Sequence, residues 1–305
     1  VTGSFLSIGE CMVELSDAGN GLYRRGFAGD TFNTAWYARR LLPAEWTISY
    51  GSCIGTDAVS AEMCAFMAGE GIDTTALRRL ESRTVGLYMI SLDAGERSFS
   101  YWRGQSAARM LTEDRVWLRG ILSERDIVYF SGITLAILSS RGRDRLCDAL
   151  AEARRGGAQI AFDTNLRPRL WEDRDTMRAG MRMGAKVADV VLPSFDEESW
   201  LFGDATPADT IARYRDCGAR IVAVKDGGRA LTLWDSGGPR SLPAIMVQDF
   251  VDTTAAGDSF AAAFLAGLAS GKNPDAAGRS AMELAAKVIQ FRGALVPGIF
   301  QGGTS

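Results

Sequence analysis

Six short apolar runs recur along the chain with helical patterns between them: FLSIG (5–9), TISYGSCIG (47–55), DIVYFSG (126–132), QIAFDTN (159–165), VVLPS (190–194) and RIVAVKDGG (220–228). Runs this short and this apolar read as strands buried on both faces, and strands alternating with helices imply a parallel sheet covered on both sides. The pattern predicts helices at about 31–42, 56–70, 141–155, 173–187, 196–203 and 207–217, and two more at about 256–270 and 274–291. Gly71, Gly156-Gly157 and Gly218 mark helix ends. The expected fold class is α/β, a doubly wound and mostly parallel sheet with helices on both faces. With 305 residues, 47% of them hydrophobic, and no Pro/Gly/Ser-rich linker, the chain reads as one domain over 1–305.

One segment breaks the rhythm. VGLYMISLD (85–93), the turn DAGE and RSFSYWR (97–103) read as a β-hairpin, and ECMVEL (10–15) with YRRGFAG (23–29) can join it. The result is a small sheet, drawn from about 10–29 and 85–104, that covers one end of the main sheet as a lid. Period-two alternation puts Phe99, Tyr101 and Arg103 on one of its faces and Ser98, Ser100 and Trp102 on the other. Its exposed edges make a homodimer through the lid a reasonable expectation.

Several chemistries drop out early. A net charge of −3 without a basic tail argues against nucleic acid, whose phosphates demand a concentrated cationic surface. The five cysteines are scattered with no CxxC spacing, so neither a disulfide framework nor a zinc site is indicated. Histidine is absent, which removes Ser-His-Asp and Cys-His catalysis. No run approaches a bilayer span and VTGSFLSIGECMVEL is unlike a signal peptide, so a cytoplasmic protein without a membrane partner is expected. GLASGKN (267–273) is one residue short of a P-loop and has Asn273 where Ser or Thr belongs. No GxGxxG follows the first strand.

DTTAAGDSFAAAF (252–264) has the form of an anion site: Ala255, Ala256 and Gly257 open their backbone to a ligand where a helix begins. Asp258 would repel that anion unless something lies between them, such as a hydroxyl to be deprotonated. The other reading is a plain helix cap, a common role for Asp near an N-terminus.

This stretch resembles the C-terminal signature of the ribokinase-like (PfkB) carbohydrate kinases, and FAGDTFNTA (27–35) resembles their N-terminal one. The resemblance covers nearly the whole chain and implies a ribokinase-like fold using ATP and Mg2+. It implies that Ala255, Ala256 and Gly257 stabilise the migrating phosphoryl charge and that Asp258 is the base. It implies that Gly29, Asp30 and Asn33 contact sugar hydroxyls, with Tyr88 lining the pocket; Asn33 read by itself could be a polar residue of a helix surface. Asn165, Lys225, Gly227 and Gly228 match positions that line the nucleotide, although Gly227-Gly228 also suits a turn between strands.

GECMVELSD (9–17), YWRGQSAAR (101–109), SGITLAILS (131–139) and FDTNLRPRLW (162–171) are together similar to 2-keto-3-deoxygluconate kinases. A sugar acid needs a cation for its carboxylate, and Arg offers a planar bidentate match. Arg103, beside Tyr101, and Arg167 are the candidates; a surface salt bridge is the alternative for each. The expected reaction is ATP-dependent phosphorylation of the sugar acid, with another sugar kinase of the family or a non-catalytic sugar-acid-binding protein as alternatives. Three departures stand out: Ala255 where Gly is common, SFDE (194–197) with Ser194 for Asn but Glu197 kept to order Mg2+ through water, and Ala294 where some relatives carry Asp.

Overall fold

The computed structural model describes residues 2–93 and 96–300; Ala94 and Gly95 of the expected turn lie outside the described residues. The first part of the chain forms β1 (Gly3–Ile8), β2 (Met12–Gly19), β3 (Leu22–Ala28), α1 (Asp30–Leu41), β4 (Trp46–Gly55), α2 (Ala58–Gly69), β5 (Leu77–Leu80), β6 (Gly86–Asp93), β7 (Glu96–Trp102) and α3 (Arg115–Leu122). There follow β8 (Ile127–Ser131), α4 (Gly132–Ala136), α5 (Ser140–Arg155), β9 (Gln159–Asp163), α6 (Arg174–Val187), β10 (Val190–Val191), α7 (Phe195–Phe202) and α8 (Pro207–Asp216). The chain closes with β11 (Ile221–Val224), β12 (Leu231–Asp235), β13 (Gly238–Leu242), α9 (Ala256–Ala269) and α10 (Pro274–Val288).

The main sheet has nine strands in the order β13-β12-β11-β10-β9-β8-β1-β4-β5. From β5 to β11 the pairs are parallel, because helical crossovers connect them. β12 and β13 return through tight turns and pair antiparallel. β1 lies between β4 and β8, so the winding reverses there and a crevice opens beyond the carboxyl ends of the strands.

Alternation along β1 builds two core layers. Phe5 packs with Phe32 of α1 and Phe264 of α9, whereas Leu6 and Ile8 pack with Leu146 of α5 and Met181 of α6. α9 is buried from Ser259 to Gly267, which its Ala- and Gly-rich sequence permits. A Cβ on Gly267 would sit 2.9 Å from that of Ala277, so this glycine lets α10 approach closely.

The lid sheet runs β3-β2-β6-β7, with β2 and β6 parallel and the outer pairs antiparallel. Register places Tyr88 between Glu14 and Tyr101, with Gly26 opposite Glu14. The rings of Tyr88, Phe99 and Tyr101 lie 5.9–6.4 Å apart on one face, as the alternation requires. Met12, Ala28, Tyr88 and Ile90 form an apolar cluster with Ala294, and Ala255 packs against it. This face of the lid therefore looks toward the start of α9.

The expected element order omits α3, α4, β5 and β13. All four are short, and β5 and β13 carry Arg at sheet edges, where one side faces water and the apolar pattern is weak. Among the described residues no helix is long and apolar enough to cross a membrane.

Candidate active site

Ala255 precedes α9 in the left-handed region, at φ 59° and ψ 15°. A non-glycine residue pays about 1–2 kcal/mol for that conformation, so the turn forms with the small Cβ present but under strain. No side chain caps α9, and its dipole faces the crevice, an arrangement that attracts an anion. The Ala256 N–H turns back to the Thr253 carbonyl at 3.2 Å.

Asp258, in the first turn of α9, reaches across to α1, where its Oδ2 accepts a hydrogen bond from Asn33 Nδ2 at 2.8 Å. The bond bears on both open readings. Asn33 is buried rather than on a helix surface, and the Asp258 side chain does not cap its own helix. Loss of hydration, then the neighbouring Asp30 carboxylate, push the Asp258 carboxyl up to about 7, while Asn33 opposes the rise.

Gly29, the residue before α1, has extended backbone. A Cβ there would collide with the Glu10 carbonyl oxygen, and backbone on both sides leaves little room to yield. Gly29→Ala is expected to destabilise the fold by about 1–3 kcal/mol, read as a lower urea midpoint at unchanged m-value.

Asp30 opens α1, and its Oδ2 accepts from Asn165 Nδ2 at 2.8 Å. Asn165 holds a positive φ of 29°, and its N–H donates to Asp163 Oδ1 at 3.1 Å. The other Asp163 oxygen takes the Lys225 ammonium at 2.7 Å. Burial raises the Asp163 carboxyl, and Lys225 opposes the rise. A Cβ on Gly257 would sit 3.6 Å from Lys225 Nζ, so this cation stands beside the start of α9. On α7, Glu197 accepts from the Leu166 N–H and from Arg167 Nη1, both at 3.1 Å. Desolvation raises Glu197 and the Arg167 charge lowers it. Arg167 is half exposed at the rim, and its charge also reaches Asp258.

Arg103 is not a free lid cation: it is buried and ion-paired with Glu10, so the salt bridge exists but lies inside rather than on the surface. Its guanidinium sits 6.0 Å from the Tyr101 ring centroid. The Tyr88 hydroxyl donates to Glu14. Gly227 and Gly228 line a cavity of about 500 Å³ together with Lys225, Ala256 and Phe260. They also form a turn, with the Arg229 N–H donating to the Asp226 carbonyl, as the turn reading of this pair requires. Asn165 does not line this cavity; its side chain goes to Asp30.

Four residues escaped the sequence reading. Asp163, Glu10 and Glu14 lie within quoted stretches, and the alternation of ECMVEL already places Glu10, Met12 and Glu14 on one side of the chain. Tyr129, at the floor, is fully buried. Burial, then the carboxylates of Asp163, Asp258 and Asp30, keep it protonated. No local pattern signals that position.

The family model described as pfkB family carbohydrate kinase matches residues 4–298. The chain belongs to this family. As a pfkB carbohydrate kinase it is a phosphotransferase with an alcohol group as acceptor. A 2-dehydro-3-deoxygluconokinase from Escherichia coli strain K12 is 39% identical over 297 residues, covering 95% of this chain and 96% of that protein. The crystal structure of a PfkB protein from Polaromonas sp. JS666 has a TM-score of 0.84 at 25% identity, covering 99% of this chain and all of that one. A putative ribokinase II from E. coli, solved in complex with ATP and Mg2+, has a TM-score of 0.83 at 23% identity, covering 96% of this chain and 94% of that one. This pfkB chain therefore has the ribokinase-like architecture expected of it.

Proposed function

We propose that this kinase transfers the γ-phosphoryl group of ATP to the terminal hydroxyl of 2-keto-3-deoxy-D-gluconate, giving the 6-phosphate and ADP. The observation that carries the reading is the Asn33–Asp258 hydrogen bond, which joins residues from opposite ends of the chain beside an uncapped helix start. The 39% identity to a 2-dehydro-3-deoxygluconokinase over nearly the full length supports the choice of acceptor.

In this mechanism the acceptor hydroxyl lies between Asp258 and the phosphate. Asp258 accepts its proton as the oxygen attacks phosphorus, and Asn33 keeps the carboxylate aimed at that proton. Ala255, Ala256 and Gly257, with the dipole of α9, stabilise the charge on the moving group. Lys225 and the Gly227-Gly228 turn hold the nucleotide. Arg167 stands at the rim near both ligands, and Arg103 takes the acceptor's carboxylate. Gly29 and Asp30 take hydroxyls, with Tyr88 and Tyr101 as aromatic walls.

The residues present fit Mg2+ held mainly by phosphate and water. Among the described residues no group of three or more acids or thiols can hold a metal, and Glu197 and Asp163 already carry cationic partners. Mg2+ bound through water near Glu197 would neutralise charge on the nucleotide phosphates.

A coupled assay of ADP release tests the reading. The sugar acid is expected to exceed fructose and ribose in kcat/KM by about 10²-fold or more. A preference for a neutral sugar would favour another kinase of the family, and binding without ADP release would favour a non-catalytic protein. In the free enzyme kcat/KM is expected to rise with pH through about 7, where Asp258 ionises. Asp30→Asn removes a charge that raises this group, so the acid limb should move to lower pH; an unmoved limb would assign it elsewhere. The lid edges β3 and β7 expose Leu22, Tyr23 and Trp102, which supports a dimer through the lid, to be checked by sedimentation.

A further inference from the structure

The passages of the chain between the main sheet and the lid converge on one residue. Glu10 stands in the first of them, between β1 and β2. Its backbone carbonyl lies against Gly29, in the passage from β3 to α1. Its Oε1 lies 2.7 Å from where a Cβ on Gly86 would sit, where the chain enters β6. Its Oε2 accepts from both Nε (2.8 Å) and Nη2 of Arg103, where the chain leaves β7.

Stability alone does not account for this pair. Glu10 is 2% exposed and Arg103 8%, and Glu10 Oε1 has no hydrogen-bond partner. Burying two charges while leaving one oxygen unpaired is expensive, and a well-packed apolar pair at such a place is often as stable or more so. What the pair does provide is a guanidinium locked in one orientation. Two of its N–H groups point at Glu10, and the guanidinium centre lies 6.0 Å from the centroid of the Tyr101 ring, whose neighbour Tyr88 belongs to the cluster that Ala255 packs against.

We propose that Glu10 is the positioning residue of the acceptor pocket: it holds the Arg103 guanidinium where lid and main sheet join, and so couples recognition of the acceptor's carboxylate to the placement of the lid. This rests on reading Arg103 as the group that binds that carboxylate. Glu10 does not touch the acceptor; it acts through Arg103.

Steady-state kinetics of Glu10→Ala, Arg103→Ala and the double variant, with 2-keto-3-deoxygluconate and ATP varied in turn, test it. Glu10→Ala is expected to raise the KM for the sugar acid about tenfold or more and to leave the KM for ATP within about twofold. In the Arg103→Ala background the same change should add nothing. Glu10→Gln keeps an oxygen for Arg103 Nε and should show the same pattern at about threefold, which carries the test if the alanine variant fails to fold. Losses that multiply in the double variant, or equal rises in both KM values, overturn the proposal. An Arg103→Ala variant with unchanged KM for the sugar acid overturns the carboxylate reading itself, and this proposal with it.

Discussion

Asp258→Asn is expected to lower kcat by about 10²–10⁴-fold while the KM for ATP stays near that of the parent. Asparagine is isosteric and can still pair with Asn33, but it cannot accept the hydroxyl proton. A variant with near-normal turnover would remove Asp258 from the role of base. The same substitution should stabilise the protein at alkaline pH. A carboxyl raised to about 7 in the folded state, against about 3.9 unfolded, binds its proton more tightly when folded. Stability therefore falls as pH rises from about 4 through 7, because the unfolded chain gives up its proton first. Asn carries no such proton. Its Tm should exceed the parent's by at least about 2 °C at pH 8 and the gain should vanish toward pH 4; a gain independent of pH would contradict the charge account.

Arg103→Ala is expected to raise the KM for the sugar acid by about 10²-fold, with a smaller change for a neutral sugar. The variant should also lose stability by about 3–5 kcal/mol, because it strands the buried Glu10 carboxylate. Adding Glu10→Ala should restore much of that stability without restoring affinity. This division, in which the double variant recovers in a denaturant melt and fails in the kinetic assay, separates Arg103 as ligand from Arg103 as structural partner. Equal losses for acidic and neutral acceptors would remove it from carboxylate recognition.

Most strands and helices of the main sheet were legible because their apolar periods of about two and 3.6 residues are local properties, whereas the short edge strands β5 and β13 were not. α1 was legible as a helix, but the role of Asn33 was not. Residues Thr31 to Ala38 are all buried, so the helix has no polar face against which one buried asparagine would stand out. The small-residue turn before Asp258 could be read as an anion site or as a helix start. Choosing between them requires the partner of the carboxylate, which lies 225 positions away. Arg103 illustrates the limit on the other side. Alternation put it correctly on the face of Tyr101, yet pattern alone could not reveal that Glu10, 93 positions earlier, already occupies two of its donors.

By itself the sequence determined most of the order of elements, the class of sheet, the small second sheet, and the small-residue turn that starts α9. Each follows from hydrogen bonding and apolar spacing over a few neighbouring residues. Only the tertiary structure decided that Asp30, Asp163 and Asp258 share one recess with Lys225 and Tyr129, and that Glu10 sits where the lid meets the main sheet. Coulombic coupling and desolvation depend on distance and burial in space, and the residues that set them here are brought together by the parallel crossovers rather than by their places along the chain.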